Sequence, residues 1–200
     1  MSLQNRVDPF GSLVSTPARG AWMGNRGVLH DQARMIRRPW RLKAWLICRL
    51  EFNGRYRAVM SPHRYTELFF LDEATALAAG HRPCFECRRS AYMAFKSAAG
   101  LGSATAGEMD AALQVERLGP NGAKRTFIAE LSDLPDGAFV KLGGQPWLKR
   151  GDVLHRWTEY GYAEQIDAPG GEIEVLTPAL SITAIRGGYR PQCALDGDRP

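Results

Sequence analysis

Two cysteines three positions apart form the clearest chemical motif in the chain, Cys84-Phe85-Glu86-Cys87, with His81 and Pro83 just before it. Two thiolates at this spacing can both reach one tetrahedral Zn²⁺, and a helix that begins at the second cysteine favours negative charge there. A redox dithiol would need a thioredoxin-like βαβ surrounding, which the flanking sequence does not offer. The motif therefore predicts Cys84 and Cys87 as ligands of a structural zinc ion.

A tetrahedral zinc site needs two more ligands, and the sequence offers several. Cys48 lies in a β-prone run, and His63 lies shortly before an aromatic-rich run. His81 is also a candidate, although a ligand only three residues before Cys84 would be crowded. We take Cys48 and His63 as the expected third and fourth ligands.

An enzyme of a different class is the main alternative. His30 and Asp31 follow the basic loop Gly24-Asn25-Arg26-Gly27, and a histidine beside a carboxylate can serve a metal-dependent hydrolase or nuclease. A zinc deaminase fits less well, since its signature joins H-x-E to P-C-x-x-C. Here neither His30 nor His63 has a glutamate two positions later.

The segment around the cysteines predicts a hairpin and two helices. Asn53-Gly54 separates two β-prone runs, 44–52 and 55–60, and Asn-Gly is a strong signal for a hairpin turn. A further strand is expected over 65–71. The helices are expected over 72–79, ended by Gly80, and over about 87–99.

The flanking segments differ in character. Gly and Pro recur through the first 40 residues, which predicts an irregular but ordered arm with a short helix near 31–37. Residues 100–107 are small and predict a linker, followed by a helix over 108–118. Beyond that helix, turn signals recur about every ten residues. They separate predicted strands at 139–142, 146–148, 153–157, 162–166, 172–176 and 182–185.

The 22 residues from Glu67 to Arg88, ELFFLDEATALAAGHRPCFECR, resemble the metal-binding domain of the Ada DNA-repair family. That domain has an aromatic-rich strand, an E-A-x-x-A-G helix and an R-P-C-x-x-C turn that supplies the last two of four zinc cysteines. The resemblance covers about residues 66–88, and the family's first cysteine pair is missing. It implies that Cys84 and Cys87 bind zinc in a finger that contacts DNA backbone. The family's methyl-accepting chemistry depends on the missing pair and is not implied.

Together these patterns predict an α+β fold in two lobes. Residues 1–100 would form a basic arm and an Ada-like β-hairpin/helix finger. Residues 101–200 would form a helix and a β-rich, barrel-like lobe, and the two lobes could pack as one globule.

Charge is distributed unevenly along the chain, whose net charge is +5. Residues 1–60 hold eleven Lys and Arg against three Asp and Glu, whereas residues 101–200 hold ten against fourteen. A basic N-terminal third predicts an anionic partner such as nucleic acid. The expected phosphate contacts are five arginines: Arg26, Arg55, Arg57, Arg88 and Arg89.

Composition narrows the function classes. The chain is 44% hydrophobic and 24% charged, which argues against a disordered tail or a collagen-like repeat. Because neither a membrane-spanning run nor a secretory signal is evident, we expect a cytoplasmic protein that does not enter membranes. The leading hypothesis is a zinc-binding, nucleic-acid-associated protein. The alternatives are a metal-dependent hydrolase or nuclease, and a metal-free interaction module that retains the Ada-like turn.

Overall fold

The structure is a computed structural model that describes residues 2–54, 56 and 58–197. Within these residues it contains two six-stranded sheets and four α-helices. The expected α+β class is therefore confirmed. No helix in this part of the chain combines the length and the apolar character needed to cross a bilayer.

The first sheet brings the cysteine-bearing segments together. Its strands are β1 (Gln4–Val7), β2 (Leu13–Ser15), β3 (Trp22–Asn25), β4 (Leu46–Cys48), β5 (Leu68–Phe70) and β6 (Arg82–Pro83). They pair in the order β2-β1-β5-β3-β4-β6, with β6 parallel to β4. Because Ile47 pairs with Pro83 in parallel strands, the next residue of each segment, Cys48 and Cys84, lies at the same end of the strand pair.

Four helices accompany the sheets: α1 (Glu73–Ala78), α2 (Arg89–Ala98), α3 (Ala106–Arg117) and α4 (Ala179–Arg186). All six residues of α1 are buried, which fits its run of small residues. Thr105 caps the N-terminus of α3: its side chain accepts from the Glu108 backbone N–H, while the Glu108 carboxylate accepts from the Thr105 N–H. This reciprocal capping satisfies donors that the first turn would otherwise leave unpaired.

The second sheet is antiparallel and open. Its strands are β7 (Phe127–Glu130), β8 (Phe139–Leu142), β9 (Gln145–Arg150), β10 (Val153–Thr158), β11 (Gly161–Asp167) and β12 (Glu172–Val175). The order β11-β10-β9-β8-β12-β7 leaves β11 and β7 at the edges, so the described strands do not close the barrel-like lobe that we expected. The turn between β8 and β9 uses Gly143 and Gly144 at positive φ, as a two-residue hairpin requires.

The hydrophobic core crosses the expected lobe boundary. One cluster joins Ile47, Leu68 and Phe70 of the first sheet to Met109 and Leu113 of α3, and Ala184, Ile185 and Tyr189 also belong to it. A second cluster packs Ala74 and Ala78 of α1 against Phe139, Leu148 and Trp157. Residues on both sides of position 100 therefore bury one another.

Three local expectations differ from the structure. Asn53 and Gly54 adopt positive φ as a turn, but no described residue between 49 and 67 forms a strand, because β4 pairs with β3 and β6 instead. The predicted helix near 31–37 is replaced by a turn closed by a His30–Ile36 bridge. The first 25 residues contribute three strands rather than an irregular arm.

Candidate metal centre

Two segments far apart in sequence bring three cysteines together at one edge of the first sheet. The sulfur atoms of Cys48, Cys84 and Cys87 all lie within 4.8 Å of one another. Tetrahedral zinc–thiolate geometry, with Zn–S bonds of about 2.3 Å, sets sulfur–sulfur separations of about 3.8 Å. Three sulfur atoms this close together could hold one metal ion, and soft thiolate donors are the kind that zinc prefers.

The backbone around the thiols is arranged for negatively charged sulfur. Cys84 follows β6, and its N–H donates to Ile47 O of β4 at 2.9 Å. The N–H groups of Glu86 and Cys87 donate to the Cys84 sulfur, and the Arg49 N–H donates to the Cys87 sulfur. Hydrogen bonds to the charged form stabilise that form, so this turn favours thiolates.

Two buried ion pairs hold the Cys-x-x-Cys turn from both sides. Before the turn, Arg82 makes two 2.8 Å hydrogen bonds to the Asp110 carboxylate of α3. After the turn, Arg88 pairs with Glu73 of α1 at 2.7 Å and lies 3.9 Å from the centroid of the Trp22 ring. Since all four charged side chains are buried, the turn is fixed to two helices.

The metal-free thiols share their protons unequally. Hydrogen bonds donated by the Cys48 and Cys87 thiols lower the pKa of Cys84 to about 2. Donation to Cys84 raises the pKa of Cys48. The pKa of Cys87 is raised overall. The hydrogen bond from the Cys48 thiol lowers this pKa, but the hydrogen bond to Cys84 and the burial of the Cys87 thiol raise it by more. The hydrogen bonds among the three thiols therefore favour negative charge on the Cys84 sulfur, and a bound metal ion would displace the thiol protons.

All three cysteines also line an open pocket of about 430 Å³. Its other walls are mainly aromatic and aliphatic, and they also carry the Arg49 guanidinium and the carboxylates of Glu67 and Glu86. Glu67 is buried, and its Oε2 accepts from the Met60 N–H at 2.8 Å. A small molecule in this pocket would therefore lie next to the three cysteines.

The sequence did not predict that Glu67 would face this pocket. Its position just before β5 and inside the Ada-like segment was the one available signal. Its proximity to the cysteines depends on how β5, β3 and β4 pair.

The histidines named from the sequence lie elsewhere. His63 is exposed, at a φ of +61°, and is not part of the thiol group. His81 is fully buried between Trp45 and Phe70, at ring-centroid distances of 5.2 and 4.7 Å. The structure thus brings together Cys48, Cys84 and Cys87 but not the expected fourth ligand.

His30 and Asp31 each have hydrogen-bond partners of their own in the structure. His30 is buried, with Nδ1 2.6 Å from the Thr66 hydroxyl and Nε2 3.3 Å from Ser61 O. The Asp31 carboxylate accepts from the N–H groups of its own turn and pairs with Arg37. Both side chains therefore stabilise the local chain.

Three of the five arginines expected at phosphates lie within the described residues, and they differ in burial. Arg26 and Arg88 are buried at 1% and 8% exposure, because each stacks on a tryptophan and bonds inside the core, so neither is presented to a polymer at the surface. Arg89 is exposed. Arg55 and Arg57 lie outside the described residues.

Cys193 is the fourth cysteine and lies apart from the other three. It is buried beside Tyr162, with its sulfur 3.8 Å from the phenol oxygen. Burial raises its pKa to about 11, which keeps it a neutral thiol. It therefore provides a matched control for substitutions in the metal cluster.

Neither the sequence nor the fold matches a known family model, a curated protein or a solved structure.

Proposed function

We propose that this protein binds one zinc ion through Cys48, Cys84 and Cys87, with the fourth coordination position directed at the adjoining pocket. The observation that carries the proposal is the convergence, within 4.8 Å, of the Cys48 thiol with the two thiols of the Cys84–Cys87 turn. The N–H donors aimed at two of the sulfurs and the ion pairs that hold the turn support it.

Bound zinc would cross-link the end of β4 to the turn that precedes α2. A structural zinc site contributes directly to folding, because its ligands are not preassembled in the unfolded chain. The three-sulfur set would hold the pocket wall and the first sheet in fixed relation. The site would thus have a structural role whatever occupies the fourth position.

Metal content tests the proposal. We expect about one zinc per chain by plasma emission in protein purified without a histidine tag. Cys48→Ser and Cys84→Ser should lose the metal, whereas Cys193→Ser should keep it. In the wild type, Co²⁺ should produce thiolate charge-transfer absorption that each cluster variant weakens. A wild-type protein that binds neither Zn²⁺ nor Co²⁺ would overturn the proposal.

The pocket favours a second candidate, a metal-dependent hydrolase. Catalytic zinc sites typically have three protein ligands and one accessible position, where the ion polarises a substrate oxygen or lowers the pKa of water. Glu67 lines the same pocket and could accept a proton there, while the aromatic walls would hold the apolar part of a substrate.

This second candidate predicts a selective effect at Glu67. The zinc-loaded protein would hydrolyse a chromogenic ester or phosphodiester, and Glu67→Gln would lose that activity while retaining zinc. The amide oxygen of glutamine can still accept from the Met60 N–H, so the fold should survive. Glu86→Gln, on the same pocket, serves as the control. Equal activity in the wild type, Glu67→Gln and Glu86→Gln would show that Glu67 takes no part in the hydrolysis.

A further inference from the structure

A second pocket, of about 240 Å³, lies where β4 and β6 begin, at the end opposite the thiols. Arg26, Arg117 and Lys124 line it, together with Trp45, Gly11 and Ser12. Trp45 directly precedes β4, whereas Cys48 ends that strand. The two pockets are therefore separated by the length of one short strand.

Three separate segments of the chain bring the side chains of Arg26, Arg117 and Lys124 to this pocket. The Trp45 ring lies between two guanidinium groups, 3.9 Å from Arg26 and 4.0 Å from Arg117. Gly80, at a φ of +86°, makes room for the Arg117 stem, since a Cβ there would lie 2.7 Å from Arg117 Cδ. The chain then turns after α3, and a bridge between Leu118 and Lys124 returns the lysine beside Arg117.

The positive charges of this pocket are not neutralised by the acids around it. In the described structure, every hydrogen bond donated by Arg26, Arg117 and Lys124 goes to an uncharged acceptor, either a carbonyl, the Gln114 amide or His81. Asp8 attracts Arg26 and Lys124 at longer range. Asp110 attracts Arg117 but is itself bound to Arg82 by two hydrogen bonds.

One guanidinium nitrogen points to a missing partner. Arg26 is 1% exposed, and its Nη2 is buried without a hydrogen-bond acceptor in the described structure. It faces Gly11, another residue of the pocket wall, since a Cβ built on Gly11 would lie 3.6 Å from Nη2. A buried donor left unpaired is costly, and more so when it carries charge.

Burial and mutual repulsion oppose the gathering of these positive charges. Desolvation, aided by repulsion from Arg117, lowers the pKa of Arg26 to about 9. Desolvation and the two arginines lower the pKa of Lys124 to about 7. An anion in the pocket would reverse these effects.

We propose that this pocket binds a small oxyanion, specifically a phosphate group, between Arg26, Arg117 and Lys124. Guanidinium and ammonium groups are the usual donors to phosphate oxygens, and charge-assisted bonds are the strongest that a protein makes. The partly enclosed pocket suits free phosphate or the phosphoryl group of a small ester. This proposal does not depend on the zinc site.

Calorimetric titration and thermal unfolding of the 200-residue protein, as purified, test it. At constant ionic strength, phosphate at about 10 mM should raise the melting temperature by about 5 °C or more, if its dissociation constant is about 0.1 mM. A parallel titration uses glycerol 3-phosphate, a small phosphate ester. If the ester binds as well as phosphate, the site takes phosphoryl groups; if phosphate alone binds, the site takes the free ion.

Lys124→Met is the decisive variant. It removes one charged donor, so phosphate affinity should fall at least about tenfold. Lys141→Met is the matched control, because that lysine pairs with Glu174 on the second sheet, and phosphate affinity should be unchanged. The proposal fails if phosphate and glycerol 3-phosphate change the melting temperature of the wild-type protein no more than chloride does. It also fails if Lys124→Met binds phosphate as tightly as the wild type.

Discussion

Buried charge pairs give the metal turn its rigidity at the scale of single residues. Arg82 and Asp110 are both buried, and each satisfies the other through two hydrogen bonds. Removing one partner of such a pair leaves an uncompensated charge, which typically costs about 3–5 kcal/mol. We expect Asp110→Ala to lower the free energy of unfolding by that amount in urea denaturation.

The exposed pair between Arg37 and Asp31 is the appropriate control. The Arg37 side chain is 63% exposed, and solvent screens such contacts. Arg37→Ala should leave the unfolding midpoint almost unchanged. If Asp110→Ala were equally mild, burial of the Arg82 pair would not be what fixes the turn.

Lys124 should give the protein a characteristic dependence of stability on pH. Its folded-state pKa is about 7 against an ordinary value of 10.5, because of burial and repulsion from Arg26 and Arg117, which Asp8 offsets in part. Neutral His81 also faces this group. Between pH 7 and 10.5 the unfolded chain binds the extra proton, so stability rises with pH over that window.

The measurement that tests this prediction is the slope of the free energy of unfolding against pH. Urea denaturation from about pH 7 to 9 should show the free energy of unfolding increasing in the wild type and in Lys141→Met. Lys124→Met should flatten the increase and be the more stable protein near pH 7 without phosphate. An unchanged slope in Lys124→Met would assign the titration to another group.

At the scale of elements, two helix caps of different burial should differ in energetic weight. Asp72 caps α1 in the core, where its carboxylate accepts from Thr75 N–H, the Thr75 and Tyr162 hydroxyls and Ala194 N–H. Thr105 caps α3 at the surface. We expect Thr105→Ala to cost about 1 kcal/mol, and Asp72→Ala to cost more than about 3 kcal/mol because it leaves several buried donors unpaired.

Thermal and urea unfolding of the two cap variants would compare these costs directly. Ser103→Ala, in the exposed turn before α3, is a control for loss of a hydroxyl outside a cap. Similar costs for Asp72→Ala and Thr105→Ala would mean that the Asp72 contacts to β11 and to the C-terminal segment contribute little.

The sequence predicted elements best where local signals agree. Helix α3 was anticipated from its amphipathic pattern and glycine stop, and β8 to β12 each overlap a predicted strand because turn residues separate them. The strand predicted over 182–185 was wrong, since those residues belong to α4. A short apolar run can be a buried strand or a buried helix, and periodicity alone cannot distinguish the two.

The sites were harder to predict because they depend on long-range pairing. Cys84 and Cys87 form a local motif, but Cys48 joins them only because β6 pairs in parallel with β4. His63 is nearer in sequence to the motif than Cys48, yet it lies in an exposed turn. Of the three cations in the proposed phosphate pocket, the sequence pointed to Arg26 alone, because Arg117 and Lys124 reach the pocket from separate elements.

On the scale of the whole molecule, the shared core links both pockets to the C-terminal half. Met109 and Leu113 of α3 pack with the first sheet, and Tyr189 donates to the Glu73 carboxylate that holds Arg88. Tyr189 also packs edge-on against Phe95 of α2. The halves expected as separate lobes thus share apolar surface and a buried polar network, so neither should unfold without disturbing the other.

This coupling predicts the response to zinc removal, given that zinc binds as proposed. A metal bound only to the folded chain adds to its stability, so a strong chelator should lower the melting temperature. Because the core is shared, the transition should stay single and shift as a whole, with far-ultraviolet circular dichroism and tryptophan fluorescence remaining coincident. Trp22 and Trp45 lie by the first sheet and Trp147 and Trp157 in the second, so fluorescence samples both.

Cys193→Ser should respond to the chelator like the wild type, and Cys84→Ser should not respond. Two separate transitions after chelation, with the second sheet unaffected, would show instead that the halves fold independently and that the shared clusters contribute little to cooperativity.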